Sequence, residues 1–224
     1  MVVRSLGFLA FGLMTCSAGV ITEGFTFSVA SAGGAHSRGT HYHSSTGGVY
    51  GDPAGKAEVG SYASEEVRGL AEYNLAGLGM LDSVFVTFSI YSAGGLFAGV
   101  NDEPWTGTIN VYAYQGNNRE SVTDYEALPI AFAGALSTPG LVEGGIVSLL
   151  ITPIFNSAIG GGLTSLGIRL ERAGNVPSYS GAWTFDTFRL TSDDQSTAFT
   201  PEPHTYLLAA AGLAGLALAR RRRK

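Results

Sequence analysis

The sequence predicts an all-β fold, an antiparallel β-sandwich of about eight strands with jelly-roll character and one short helix. Three observations predict it. Apolar and polar residues alternate with period two in segment after segment, as in strands with one buried face. Stretches rich in Gly, Ser and Thr separate these segments, and 32 of the 224 residues are Gly, the residue that turns between strands most need. Charged residues make up only 14% of the chain and aromatics 11%, a balance that suits sheets better than helices.

The strands can be placed in order along the chain. Phe25, Phe27 and Val29 share one face of the first, and Val67 to Leu75 forms the second. In Ser83 to Tyr91, Val84, Val86, Phe88 and Ile90 line one face and Phe85 lies opposite. In Thr108 to Tyr114, Ile109, Val111 and Ala113 oppose Tyr112 and Tyr114, and Leu128 to Phe132 supplies a further strand. Ile146 to Thr152 is a continuous apolar run, the pattern of a strand buried on both faces. Leu166, Ile168 and Leu170 alternate with Gly167 and Arg169. The last strand, Trp183 to Leu190, changes phase: Trp183, Phe185 and Thr187 share one face, while Phe188 and Leu190 fall in the opposite register. The helix follows the apolar run, with Thr152 as N-cap and Pro153 at the first helical position. Its apolar side is Ile154, Phe155, Ala158 and Ile159, and Gly160 to Gly162 ends it. No repeat of fixed period is visible, which argues against a solenoid or propeller.

The two ends are unlike this body. Residues 1–18 read as a signal peptide, with Arg4 in the basic segment, Leu6 to Met14 as the apolar core, and Cys16-Ser17-Ala18 offering small residues for cleavage after Ala18. An acylated Cys16 is the alternative, but Thr15 stands where that processing needs a small residue. Residues 19–196 then form one β-sandwich ectodomain, and 197–224 a separate C-terminal signal. Within that signal, Pro201-Glu202-Pro203 precedes Tyr206 to Ala219, fourteen residues without a charge, expected as a transmembrane helix. A basic cluster of Arg220, Arg221, Arg222, Arg223 and Lys224 ends the chain. A helix of that length rises about 21 Å, short of the ~30 Å hydrocarbon core, so it is a poor lasting anchor. The cluster stays on the cytoplasmic side and leaves the body outside.

A Pro-Glu-Pro motif, a short Leu/Ala/Gly helix and a terminal Arg cluster, in that order, resemble the PEP-CTERM sorting signal of Gram-negative bacteria. The resemblance implies export by the general secretion machinery, transient anchoring in the inner membrane, and cleavage by an exosortase. It further implies a place at the cell surface or outside, among the exopolysaccharide and biofilm matrix. Val67-Arg68-Gly69-Leu70-Ala71-Glu72-Tyr73-Asn74-Leu75 with Val84 to Tyr91, and Ile146 to Asn156 with Leu166 to Leu170, are similar to segments of DNRLRE-type jelly-roll domains. That likeness bears on fold and says little of function.

The chemistry the body can support is narrow. Between Gly19 and Thr200 stand 7 basic and 17 acidic residues, a net charge of −10, which argues against nucleic acid as a partner. Cys16, in the leader, is the only cysteine, so the body has neither disulfide nor thiol nucleophile. His36, His41 and His43 share one Gly/Ser-rich loop, but a third ligand at a fixed spacing and a nearby carboxylate are missing, so no metal site is expected. Asp52, Asp102, Glu103, Asp193 and Asp194 are loop carboxylates of the kind that hold calcium, the one cofactor left open, although no EF-hand spacing is present. Glu120, Asp124 and Glu126 read as a solvated face, and Glu65-Glu66 as side chains pointing to opposite faces of a strand. Gly-x-Ser-x-Gly and His-Glu-x-x-His are both missing, and no catalytic residue is assigned. Among the aromatics, Trp105, in a loop after Glu103-Pro104, is the candidate for stacking on a sugar ring. Two readings of the mature body stay open: a non-catalytic structural or exopolysaccharide-associated protein, and a carbohydrate-binding module.

Overall fold

A computed structural model describes residues 19–31, 38–47, 53–63, 65–174 and 181–197. The expected signal peptide, sorting motif, membrane helix and basic tail, together with His36, Asp52 and His204, lie outside the described residues. Among the described residues no helix is long and apolar enough to cross a membrane.

Among the described residues eleven strands run in chain order: β1 (Val20–Glu23), β2 (Phe25–Ser31), β3 (Arg38–His43), β4 (Ala57–Tyr62), β5 (Glu65–Asn74), β6 (Phe85–Ser92), β7 (Thr108–Gln115), β8 (Pro129–Ser137), β9 (Ile146–Leu150), β10 (Ser165–Arg172) and β11 (Gly181–Thr191). The one α-helix among the described residues, α1 (Thr152–Gly160), sits between β9 and β10, and a 3₁₀ turn, Val122–Glu126, lies between β7 and β8. The all-β antiparallel class is the one the alternation predicts, and all eight expected segments are strands. Short β1, polar β3 and Gly-containing β4 are additional, because none carries a clear apolar alternation.

Hydrogen bonding joins the strands into one antiparallel sheet in the order β8-β7-β10-β5-β4-β11-β6-β9, with β2 on β5, β3 on β2 and β1 on β11. The sheet doubles over into a sandwich that is nearly a closed barrel. Its ends meet where the Leu149 side chain of β9 packs beside Gly134 of β8. β5 is the hub. Val67 to Glu72 pair with β2 on one edge, while the other edge serves β4 at Glu65 to Val67 and then β10 at Gly69 to Asn74.

The main core fills the space between the layers. Ala71, Tyr73, Ile109, Val111, Ala113, Leu166, Ile168 and Leu170 come from one side, and Val86, Phe88, Ile90, Trp183, Phe185, Phe188 and Leu190 from the other. Phe88 stacks on Phe188 at 4.6 Å between ring centres and meets Phe185 edge-on at 5.5 Å. The phase change in β11 is a bulge between Asp186 and Arg189, with Thr187 at φ 54°. The extra residue turns Phe188 and Leu190 back into the same core as Trp183 and Phe185, so the two registers share one destination. A second, smaller core lies on the outer face of β2, β5 and β7. There Phe27, Val29, Leu70, Tyr114 and Tyr125 are covered by the 3₁₀ turn.

Two local expectations change. β9 is an edge strand rather than one buried on both faces: Val147 and Leu149 pack on the core, while Leu150 is 59% exposed. Ile151, not Thr152, occupies the N-cap of α1. Thr152 Oγ1 instead accepts from Val84 N at 2.8 Å, anchoring the helix to the start of β6. Phe155 and Ala158 are the buried side of α1, with Ile154 and Ile159 half-buried beside them.

β4 and β5 approach closely beyond their paired residues. A Cβ on Gly69 would stand 2.8 Å from Ala57 Cβ and 3.0 Å from the Ala57 carbonyl carbon. Gly69→Ala in residues 19–196 should therefore destabilise the body by about 1–3 kcal/mol, as overpacking does. Urea unfolding measures it, and an unchanged midpoint would contradict this packing.

Candidate functional site

Three polar groupings stand out, and the fold builds each at a place where strands change partners or leave a face uncovered. The first lies on the outer face of β5 and β10. Glu72, fully buried, accepts hydrogen bonds from Asn117 N at 3.0 Å, Asn118 N at 2.8 Å, Ser165 Oγ at 2.9 Å and Tyr114 Oη at 3.2 Å. Arg169 Nη1 donates to the carbonyls of Asp124, Tyr125 and Ala127 at 3.3, 3.2 and 2.6 Å. Arg68 Nη1 donates to the Tyr125 carbonyl at 2.7 Å, and its guanidinium lies 4.1 Å from the centre of the Tyr125 ring. Glu66 and Glu171 neutralise the two arginines, and Tyr125 Oη donates to Glu66 at 2.8 Å. Together these groups clamp the segment from Asn117 to Ala127 over the second core. Buried ion networks of this kind specify one arrangement more than they add net stability. The expectation of a solvated face is corrected for Asp124, which is 5% exposed because the 3₁₀ turn lays it against the sheet. Glu126 is exposed, and Glu65-Glu66 point apart as expected, with Glu66 buried.

The second grouping centres on Glu58 of β4, also fully buried. His43 Nε2 lies 2.8 Å from Glu58 Oε2, Leu96 N donates to the same oxygen at 3.2 Å, and Asn101 Nδ2 donates to Glu58 Oε1. Phe97 stacks on His43 with ring centres 5.6 Å apart. Glu58 thus fixes the β6–β7 loop to the end of β3, and His43 is a packing partner 1% exposed. Among the described residues, no three His, Cys, Asp or Glu side chains converge to hold a metal ion. Of the loop carboxylates, Asp102 accepts from Gly99 N at 2.8 Å and Asp194 from Ser196 N at 2.8 Å, so each braces its own turn.

Trp105 is 2% exposed. Its Nε1 donates to the Val59 carbonyl at 3.1 Å, its own carbonyl accepts from Trp183 Nε1 at 2.9 Å, and the Arg172 guanidinium covers its ring at 4.1 Å. Stacking on a sugar needs a free ring face, and burial removes it; Trp105 closes the β6–β7 loop over the core. The loop position suggested exposure, but the neighbouring Glu103 carbonyl pairs with Ala182 N at 3.0 Å and draws the segment inward.

The third grouping is a surface cleft of about 210 Å³, lined in part by Glu23, Phe25, Ser45, Gly55, Thr187 and Arg189. Arg189 Nε and Glu23 Oε1, neighbours on paired strands β11 and β1, lie 3.1 Å apart in its lining. On its flank Thr187 Oγ1 donates to Asp186 Oδ1 at 3.0 Å, and Lys56 Nζ holds Asp186 Oδ2 at 2.6 Å. Sequence reasoning passed over this cleft, since its residues come from three separate segments. The phase change in β11 was its one visible trace.

The Asp124 carboxyl is set beside that of Glu72, and its Oδ2 meets no donor among the described residues. Burial, with the Glu72 charge second, pushes its pKa from 3.8 up to about 7. The folded value lies above the unfolded one, so the group costs nothing well below pH 3.8, where both states are protonated, and little at about pH 4. The cost grows as pH rises and is complete above about pH 7, where it reaches roughly 4 kcal/mol. Asp124→Asn should flatten this slope, leaving stability near that of the wild type at about pH 4 and raising it at about pH 8. Unfolding midpoints at the two pH values decide it, and equal shifts at both would refute the assignment.

A comparison with curated proteins finds no match to the chain. The C-terminal segment is different: residues 199–223 match the PEP-CTERM protein-sorting motif, so the chain carries the sorting signal that its Pro-Glu-Pro, apolar and Arg-rich order resembles.

Proposed function

We propose that this chain is an exported, non-catalytic protein of the bacterial cell envelope, released from the inner membrane by an exosortase and associated with exopolysaccharide. The observation that carries the reading is the sorting motif at residues 199–223. The structure suits such a role. The described chain leaves the body beside edge strand β9, where Thr197 N donates to the Ile146 carbonyl at 3.3 Å and Thr197 Oγ1 accepts from Ile146 N at 2.9 Å. A tail attached there can be cut without opening the core. In the acidic, close-packed body the fully buried carboxylates Glu58 and Glu72 are engaged in holding loops, which supports a binding or structural role over catalysis. Direct binding of carbohydrate is the second reading, favoured by the cleft beside Thr187 and no longer by Trp105.

Association with polysaccharide has a direct test in the host. In a strain unable to make exopolysaccharide, the protein should move from the surface fraction into the medium. Immunoblots of the two fractions measure this, and an unchanged distribution would remove polysaccharide from the account.

A further inference from the structure

β11 changes its neighbour halfway along. β4 pairs with Gly181 to Phe185 and β1 with Arg189 to Thr191, on the edge of β11 opposite β6. Between the two partners stands the bulge, and the cleft of about 210 Å³ opens in that interval. Pockets for drug-sized ligands run to about 300–1,000 Å³, so this one takes a single ring rather than an extended chain.

Thr187 occupies the bulge at φ 54°. A bulge residue in the left-handed region is ordinarily Gly, and a β-branched side chain there is strained. Strain of this kind persists at sites where the side chain has a use. Nothing in the core needs this side chain, which is exposed and lines the cleft. Two residues along the same strand Arg189 pairs with Glu23 of β1, and half-buried Phe25 supplies an apolar surface. Behind Gly24, on the core side, the Tyr73 ring is fully buried and its hydroxyl has no partner among the described residues.

We propose that this cleft binds one neutral hexose residue of a polysaccharide, an inference that rests on the exopolysaccharide association above. Guanidinium, carboxylate and threonine hydroxyl offer donors and acceptors together, the mixture that adjacent sugar hydroxyls require. The C–H face of the ring lies on Phe25. Neutral sugars are favoured because Arg189 is already paired with Glu23 and the body carries 7 basic against 17 acidic residues, which repels uronates.

Titration calorimetry and amide spectra of the full chain in detergent micelles test this, with the methyl glycosides of glucose, galactose and mannose as probes and glucuronate as the anionic comparison. At least one neutral glycoside should bind saturably and shift amides at residues 23–26, 45, 55 and 187–189, with glucuronate weaker. Thr187→Gly should lose about tenfold or more in affinity while its thermal midpoint holds or rises. Arg189→Ala should lose affinity too, and Phe132→Ser, on distant β8, should not. Wild-type affinity in both cleft variants, or shifts mapping elsewhere, would overturn the cleft as the site while leaving polysaccharide association intact. Failure of every neutral glycoside while surface retention still depends on polysaccharide would do the same. Failure of both measurements would overturn both.

Discussion

The bulge at Thr187 is the constraint on which this sandwich turns. A strand of period two cannot send Trp183, Phe185, Phe188 and Leu190 to one side without an extra residue, and the core takes all four. Inserting that residue keeps Phe188 stacked on Phe88 and rotates β11 so that β4 can no longer follow it. β1 takes over the vacated edge, and Gly24 N closes the join on the Phe188 carbonyl at 3.0 Å. Past Gly24 the chain continues as β2 in the other layer, on β5. One irregular residue thus sets the register of the core, the crossing between layers and the position of the cleft.

The rest of the architecture follows from the lack of a covalent brace in the body. With Cys16 as the only cysteine, the layers are held by apolar burial and by sheet hydrogen bonds. Long loops then need their own fastening, and two buried carboxylates provide it. Glu72 gathers the segment after β7, and Glu58 gathers the segment after β6. Both receive several donors, which a buried carboxylate requires to stay in place. Placing Asp124 next to Glu72 sets two carboxyls side by side away from water, and the strain of that placement shows in the raised pKa.

Much of the fold was legible because its strands alternate cleanly. Val84 to Ile90 and Leu166 to Leu170 have one apolar face each, and each places that face in the core. β9 was misjudged because an apolar run does not separate an edge strand from a central one; its position depends on pairing with β6 alone. β3 and β4 were missed because their faces are closed by His43 and Glu58, polar residues whose partners lie 15 and 43 positions apart in the chain. Trp105 looked like a surface aromatic for the same reason, since its partner Val59 is 46 positions away. The sorting signal was legible in full, because it is a linear address read in order and needs no tertiary contact. The cleft could not be, since three strands and a loop must meet to form it.

A close-packed body carries a tail addressed for removal, and removal is the decisive event. Intact-mass spectrometry of the protein recovered from the host's surface fraction is the most direct measurement. A mass ending near Pro201 to Pro203, shifted to a longer membrane-bound form when the exosortase is deleted, is the predicted result. A surface protein that retains Arg220 to Lys224 would contradict it.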